Sequence, residues 1–307
     1  MSSSNVTGTT GSTGGPMRAR RGDDGSDRDT TRPPLPEPLP GPVVDNHCHL
    51  DIQDGDSWLA TDTALQLASS VGVPRIVQIG CDLPGARWAV ETATAYDAIV
   101  AGVAIHPNEA PRLEADGELD TALAEIERLA RSSERVRAVG ETGLDYYRTG
   151  PEGVAAQKRS FAAHIAMARR LDKTLVIHDR DAHDDVLAML DAHGMPERTV
   201  LHCFSGDVDF AKSCLDRGAY LSFAGTVTFK NAANLRRSLA VAPLDRILVE
   251  TDAPFLTPMP LRGRPNASYL VPHTVRAMAE VRQVPLEQLC AAIDANTDAA
   301  FGGSWGH

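Results

Sequence analysis

No run in the 307 residues approaches the ~18 consecutive apolar side chains of a membrane span, and the N-terminus lacks the apolar core of a secretory signal. Both absences lead to the expectation of a cytoplasmic protein with no membrane contact. The five cysteines (Cys48, Cys81, Cys203, Cys214, Cys290) are odd in number and include no C-x-x-C pair. That argues against a disulfide framework and suits reduced thiols. No G-x-G-x-x-G follows the first apolar run, which weighs against a dinucleotide-binding open sheet. Positive charge is also short: the net charge of −11 argues against a broad basic face coating nucleic acid. A nucleic-acid substrate held locally is still compatible, because bound divalent cations reverse the sign of a site. Internal repeats and a second domain are absent.

Residues 1–42 hold almost no large apolar side chain, and their five Arg balance five acids. Such a segment buries too little surface to offset its ordering entropy, so a disordered tail is expected. From Val43 the pattern becomes regular, and the apolar share of 42% supports a sizeable core. Short apolar runs at Val43–Asn46, Arg75–Ile79, Ile99–Ile105, Val136–Gly140, Thr174–His178, Thr199–His202, Ala219–Phe223 and Arg246–Glu250 read as strands. Between them lie amphipathic stretches, such as Leu119, Leu123, Ile126 and Leu129 at helical spacing. Eight strand–helix units predict an α/β fold, a (β/α)8 TIM barrel over residues 43–302, with 303–307 as a short C-terminal tail.

The polar residues fall in a telling place on that frame. His47 and His49 follow strand 1, His106 strand 3 and Glu141 strand 4; His178 ends strand 5, His202 ends strand 6 and Asp252 follows strand 8. In a barrel all these positions share the C-terminal rim, where catalytic groups gather. Two histidines two apart on a strand point to one side and can share a cation. So many buried ionisable groups call for a cation. Their N/O character suits two divalent ions, Zn, Mn or Mg, with one carboxylate bridging. His164, His183, His193, His273 and His307 are scattered and read as surface or structural. Cys48 and Cys203, next to ligands, are expected to point away as small packing residues.

These residues resemble the TatD family of metal-dependent deoxyribonucleases in the amidohydrolase superfamily. The similarity runs from about Val43 to Gly302. It rests on Asp45-Asn46-His47-Cys48-His49-Leu50-Asp51, Ile105-His106-Pro107, Gly140-Glu141-Thr142-Gly143-Leu144-Asp145-Tyr146-Tyr147, Ile177-His178-Asp179-Arg180 and His202-Cys203-Phe204-Ser205-Gly206. Further segments are Thr228-Phe229-Lys230-Asn231, Glu250-Thr251-Asp252-Ala253-Pro254 and Arg262-Gly263-Arg264-Pro265-Asn266. The resemblance implies hydrolysis of DNA phosphodiesters, of the 3′–5′ exonuclease type, on single strands or ends. It also implies a ligand partition: His47, His49, Glu141 and Asp252 on one metal, and Glu141, His178 and His202 on the other. Thr142 stands where the family more often has an aliphatic residue, and residues 1–42 have no counterpart.

A metal-lowered water pKa would supply the nucleophile. Asp252 is expected to act as general base and Glu141 as the bridging catalytic carboxylate. His106, Arg180, Lys230 and Arg262, with Arg148, are candidates to bind phosphate; Tyr146 and Phe204 read first as core aromatics, with stacking on a base as the alternative. Glu250 is expected to be buried behind the ligands. Asp45 and Asp51 would either orient an imidazole or cap a helix. One rival reading keeps the metals but hydrolyses an amide or ester, as in an aminoacyl-tRNA deacylase. Another is a non-catalytic scaffold, weakened because no ligand is missing. No obligate protein partner is implied.

Overall fold

The computed structural model describes residues 29–306 together with Arg18 and Ala19. Within them eight parallel strands form one sheet in sequential order. The strands are β1 (Val44–Cys48), β2 (Arg75–Gly80), β3 (Ile99–Val103), β4 (Val136–Asp145), β5 (Thr174–Arg180), β6 (Thr199–Leu201), β7 (Tyr220–Phe223) and β8 (Ile247–Val249). The seam between β8 and β1 is closed just beyond the strand ends. There Asp252 N–H donates to His47 O at 2.9 Å and His49 N–H to Ala253 O at 2.7 Å. The TIM barrel expected from the sequence is the fold observed.

Alternation along the strands sorts the core into two layers. Val44, Val77, Ile79, Val100, Ala138, Val176, Val200, Tyr220 and Leu248 fill the barrel interior together with Phe301 and Trp305. Ile76, Ile99, Val103, Val139, Leu175, Ile177, Leu221 and Val249 face the other way, into the layer beneath the helices. That outer ring includes α1 (Thr61–Ser70), α2 (Leu83–Ala95), α3 (Ala110–Ala115), α4 (Leu119–Arg131), α5 (Val154–Leu171) and α6 (His183–His193). It continues with α7 (Val208–Asp216), α8 (Ala233–Val241), α9 (Val271–Arg282) and α10 (Leu286–Ala300). Where an N-cap is made the reason is local: Asp82 accepts from Gly85 N–H at the start of α2, and Asp207 from Phe210 N–H at the start of α7.

Both predicted tails need redrawing. Residues 1–17 and 20–28 lie outside the described residues, but 30–42 pack on the barrel. Arg32 donates to the Asp54 and Ser57 carbonyls at 2.8 Å each, the Tyr269 hydroxyl donates to Pro33 O at 2.7 Å, and Leu39 is buried. The partners belong to the barrel body, which the composition of the segment does not reveal. At the other end Trp305 is only 3% exposed, so this one side chain after 302 belongs to the core, while Gly303, Ser304 and Gly306 are exposed. Its indole donates to Ala98 O at 3.1 Å.

Candidate metal centre

His47 and His49 sit two apart at the end of β1, so both project into the mouth while Cys48 turns into the helix-facing core. The seam bonds pin His47 and His49 by their backbones. Glu141 lies mid-way along the long β4. It is 96% buried and close to all five rim histidines. Its Oε1 accepts from His178 Nδ1 at 2.7 Å, lies 2.8 Å from His202 Nε2 and 3.4 Å from His106 Nε2. Its Oε2 lies 3.4 Å from His47 Nε2 and 4.0 Å from His49 Nε2. Asp252 Oδ1 is 3.3 Å from His49 Nε2 and 3.8 Å from His47 Nε2.

Those separations match a cation site. Two donors about 2.1 Å from one tetrahedral ion stand about 3.4 Å apart. Both ring nitrogens of His47 are fully buried and make no hydrogen bond, an arrangement that costs free energy unless something takes the lone pair. His47, His49 and Glu141 converge as one donor group, and His106, Glu141 and His178 as another. His106, expected to bind phosphate, is thus a neighbour of the donor set as well as part of the cavity wall.

Electrostatics follow from burial and pairing. Burial, helped by the facing His202, pushes His47 down toward the neutral form a metal requires. Burial likewise lowers His106. At His202 and His178 burial also opposes charge, but it is outweighed: by Glu141 and Glu250 for the first, by Asp145 and Glu141 for the second. Both imidazoles are therefore raised. Burial disfavours charge on Glu141, yet His202 and His106 hold it well below the usual carboxylate range. Here protons share the carboxylates, so loading a cation must release protons.

A second ring of side chains orients the first. Glu250 is fully buried, as expected, and accepts from His202 Nδ1 at 3.1 Å and from Cys203 N–H at 2.8 Å, which holds the His202 ring from behind. Asp45 caps no helix. It accepts from the Thr251 amide and hydroxyl at 2.8 and 2.6 Å, tying β1 to the turn after β8, and burial raises its pKa to about 6. Asp51 accepts from Gln78 Nε2 at 2.9 Å.

Sequence reasoning passed over two groups here and misread a third. Asp145, the last residue of β4, lies 3.3 Å from His178 Nε2 and accepts from Asn108 Nδ2 at 3.2 Å. It sits in the quoted Glu141–Tyr147 motif, four residues past Glu141, which is the signal that could have found it. Cys81 follows β2 at the rim, the position the histidines take on their own strands. Its Sγ is 3.4 Å from Glu141 Oε2. Cys203 does not point away as expected. It lines the cavity, because β6 ends at Leu201 and Cys203 takes φ 42°, so strand alternation no longer applies.

The mouth is a cavity of about 720 Å³ lined by His49, His106, Glu141, His178, His202 and Asp252, and by Arg148 and Arg180 at its edge. Lys230 and Arg262 are not in that wall. Lys230 is exposed, and the Arg262 guanidinium lies 4.5 Å from the Phe229 ring centre. Phe204 is core, stacked on Phe210, and the Tyr146 hydroxyl donates to Asp185 at 2.6 Å. Among the remaining histidines, His164 is buried and His183 stacks on Phe210, while His307 lies outside the described residues.

A parallel barrel with imidazoles and carboxylates gathered at its C-terminal rim is the architecture of a metal-dependent hydrolase. The chain belongs to the TatD family: residues 44–302 match the model described as TatD related DNase. It is 41% identical over 267 residues to the "uncharacterized metal-dependent hydrolase TatD" of Mycobacterium tuberculosis, spanning 86% of this chain and 99% of that one. It is 39% identical to the "uncharacterized metal-dependent hydrolase YcfH" of Escherichia coli K12, over 84% and 95% of the two chains. Among solved structures, the TatD homolog YJJV of Escherichia coli superposes with a TM-score of 0.78 at 27% identity, covering 85% of this chain and 98% of the other. No helix among the described residues is long and apolar enough to cross a membrane.

Proposed function

We propose that the chain is a two-metal deoxyribonuclease that hydrolyses phosphodiester bonds at single strands or ends. The observation that supports it is a conjunction at one cavity. A metal-type donor set faces Arg148 and Arg180, and among the described residues neither guanidinium forms an ion pair. Unpaired guanidiniums suit a phosphate diester, whereas a small amide or ester offers them no anion.

In this reading His47, His49, Glu141 and Asp252 hold one divalent ion. Glu141, His178 and His202 hold the other, and His106 stands close enough to join it. The ions, when bound, supply Lewis acidity toward a phosphoryl oxygen and lower the pKa of a water. Asp252, partly open to the cavity, accepts the proton of the attacking water. Asp145 and Glu250 fix the rings of His178 and His202. Arg180 and Arg148 bind non-bridging phosphate oxygens and hold the scissile bond over the donors.

The test uses the full chain, Mg²⁺ or Mn²⁺, and end-labelled single-stranded DNA beside a panel of esters and amides. DNA digestion should fall by at least about a hundredfold in His178→Ala and Asp252→Ala, on the scale of a lost acid–base group. Turnover of acyl substrates alone, or digestion unchanged in both variants, defeats the reading.

A further inference from the structure

We propose that Tyr147, backed by Arg180, is a stacking platform that binds a nucleobase at the cavity mouth and gives the enzyme its preference for unpaired strands. The inference rests on the nuclease reading above. Tyr147 is 65% exposed, the largest exposure among the big apolar or aromatic side chains described. A single exposed ring is ordinary on a protein surface; what sets this one apart is where it is held. Its amide donates to Asp145 Oδ1 at 3.1 Å, and the Arg148 amide donates to the same oxygen at 2.9 Å. The turn is therefore fastened to the carboxylate that contacts His178.

The Arg180 guanidinium covers one face of the ring, 3.8 Å from its centre. Register places this pair by construction, because Asp145 is the β-sheet partner of Arg180 across β4 and β5. A guanidinium over an aromatic ring gains cation–π attraction and holds the ring flat. The other face is the one left for a ligand. Arg180 itself lines the cavity, as does Arg148. One arginine thus touches both the ring and the place where a phosphate would lie, so a nucleotide whose base rests on Tyr147 has its phosphate directed inward. Bases paired inside a duplex cannot offer a face to such a ring, whereas unpaired bases can, whatever their identity. Tyr146, nearer the motif's core, is half-buried against the core and its hydroxyl donates to Asp185, so it offers less free ring face than Tyr147.

The test is a cycle between the ring and the base, in steady-state kinetics of the metal-loaded full chain. Two single-stranded deoxyoligonucleotides of equal length are compared, one normal and one abasic over its terminal residues at both ends. On the normal strand Tyr147→Ala should raise KM about tenfold, the scale of one base–aromatic stack, with a much smaller change in kcat. Tyr147→Trp should keep the wild-type KM or lower it. On the abasic strand wild type and Tyr147→Ala should have equal KM. A 2-aminopurine at the strand end should be quenched on binding to wild type in excess EDTA and not on binding to Tyr147→Ala. Equal loss on both strands, a Tyr147→Trp variant as impaired as Tyr147→Ala, or no change in either variant overturns the platform while the nuclease reading stands. A wild-type protein that cleaves neither strand overturns the nuclease reading and the platform with it.

Discussion

His47 shows how a single side chain reports on chemistry. It is wholly buried, stacked 3.9 Å from the His202 ring, and both its nitrogens lack a hydrogen bond. A structural histidine in the same protein behaves differently: His164 uses both nitrogens, accepting from Ile105 N–H and donating to Ser160 O. His47→Ala removes a donor and leaves few hydrogen bonds to repair. The variant should therefore bind about one divalent ion fewer per chain while keeping its fold. Metal content by plasma mass spectrometry, beside a thermal melt, checks this. Retention of the full complement would show that His47 is not a ligand. The motif around His47 was legible from its spacing. Cys203 was misread because the backbone leaves the strand one residue earlier than the apolar pattern suggests.

At the scale of elements, His164 links α5 to the end of β3, where His106 enters the site. Burial lowers its pKa to about 4. The unfolded chain, near the ordinary value of about 6.5, takes up a proton first as pH falls, so this site's stabilisation is complete above about 6.5 and lost on descent toward 4. His164→Ala should cost about 2–3 kcal/mol at pH 7, through a cavity and an unsatisfied Ile105 amide. The gap between wild type and variant should narrow by about 2 kcal/mol at pH 5. Urea titrations at the two pH values measure it, and a constant gap would show that His164 takes up its proton in the fold at the same pH as in the unfolded chain. From sequence this residue read only as surface or structural, since helical spacing does not say which strand end a ring meets.

On the scale of the molecule, the two ends of the barrel do different work. The donor set occupies the C-terminal mouth, while the opposite end is stoppered by Phe301 and Trp305. Arg75 and Arg137, near the starts of β2 and β4, place their guanidiniums 4.7 and 5.4 Å from the Trp305 ring. Trp305→Ala should destabilise the fold by about 3–5 kcal/mol, as loss of a buried aromatic does. Metal content below the melting temperature should be unchanged. A melt equal to wild type would mean the stopper carries no weight, and metal loss would mean the two ends are coupled. Residues 30–42 add a second long-range closure, held by Tyr269 and by Arg264, which donates to the Thr31 and Arg32 carbonyls.

The amino-acid sequence alone determined the eight strands, their order, and the histidines and acids placed at their ends. All three follow from periodicity: apolar runs bury strands, and a parallel barrel sends every strand end to one rim. Tertiary structure decided which groups face each other across that rim. Asp145 against His178, Glu250 behind His202 and Arg180 on Tyr147 depend on inter-strand register, which no local pattern encodes. It also decided that the proline-rich lead and the last tryptophan belong to the fold. Pro33 meets Tyr269 and Trp305 meets Ala98, each more than 200 residues away in the chain, and only the closed barrel brings such pairs into contact.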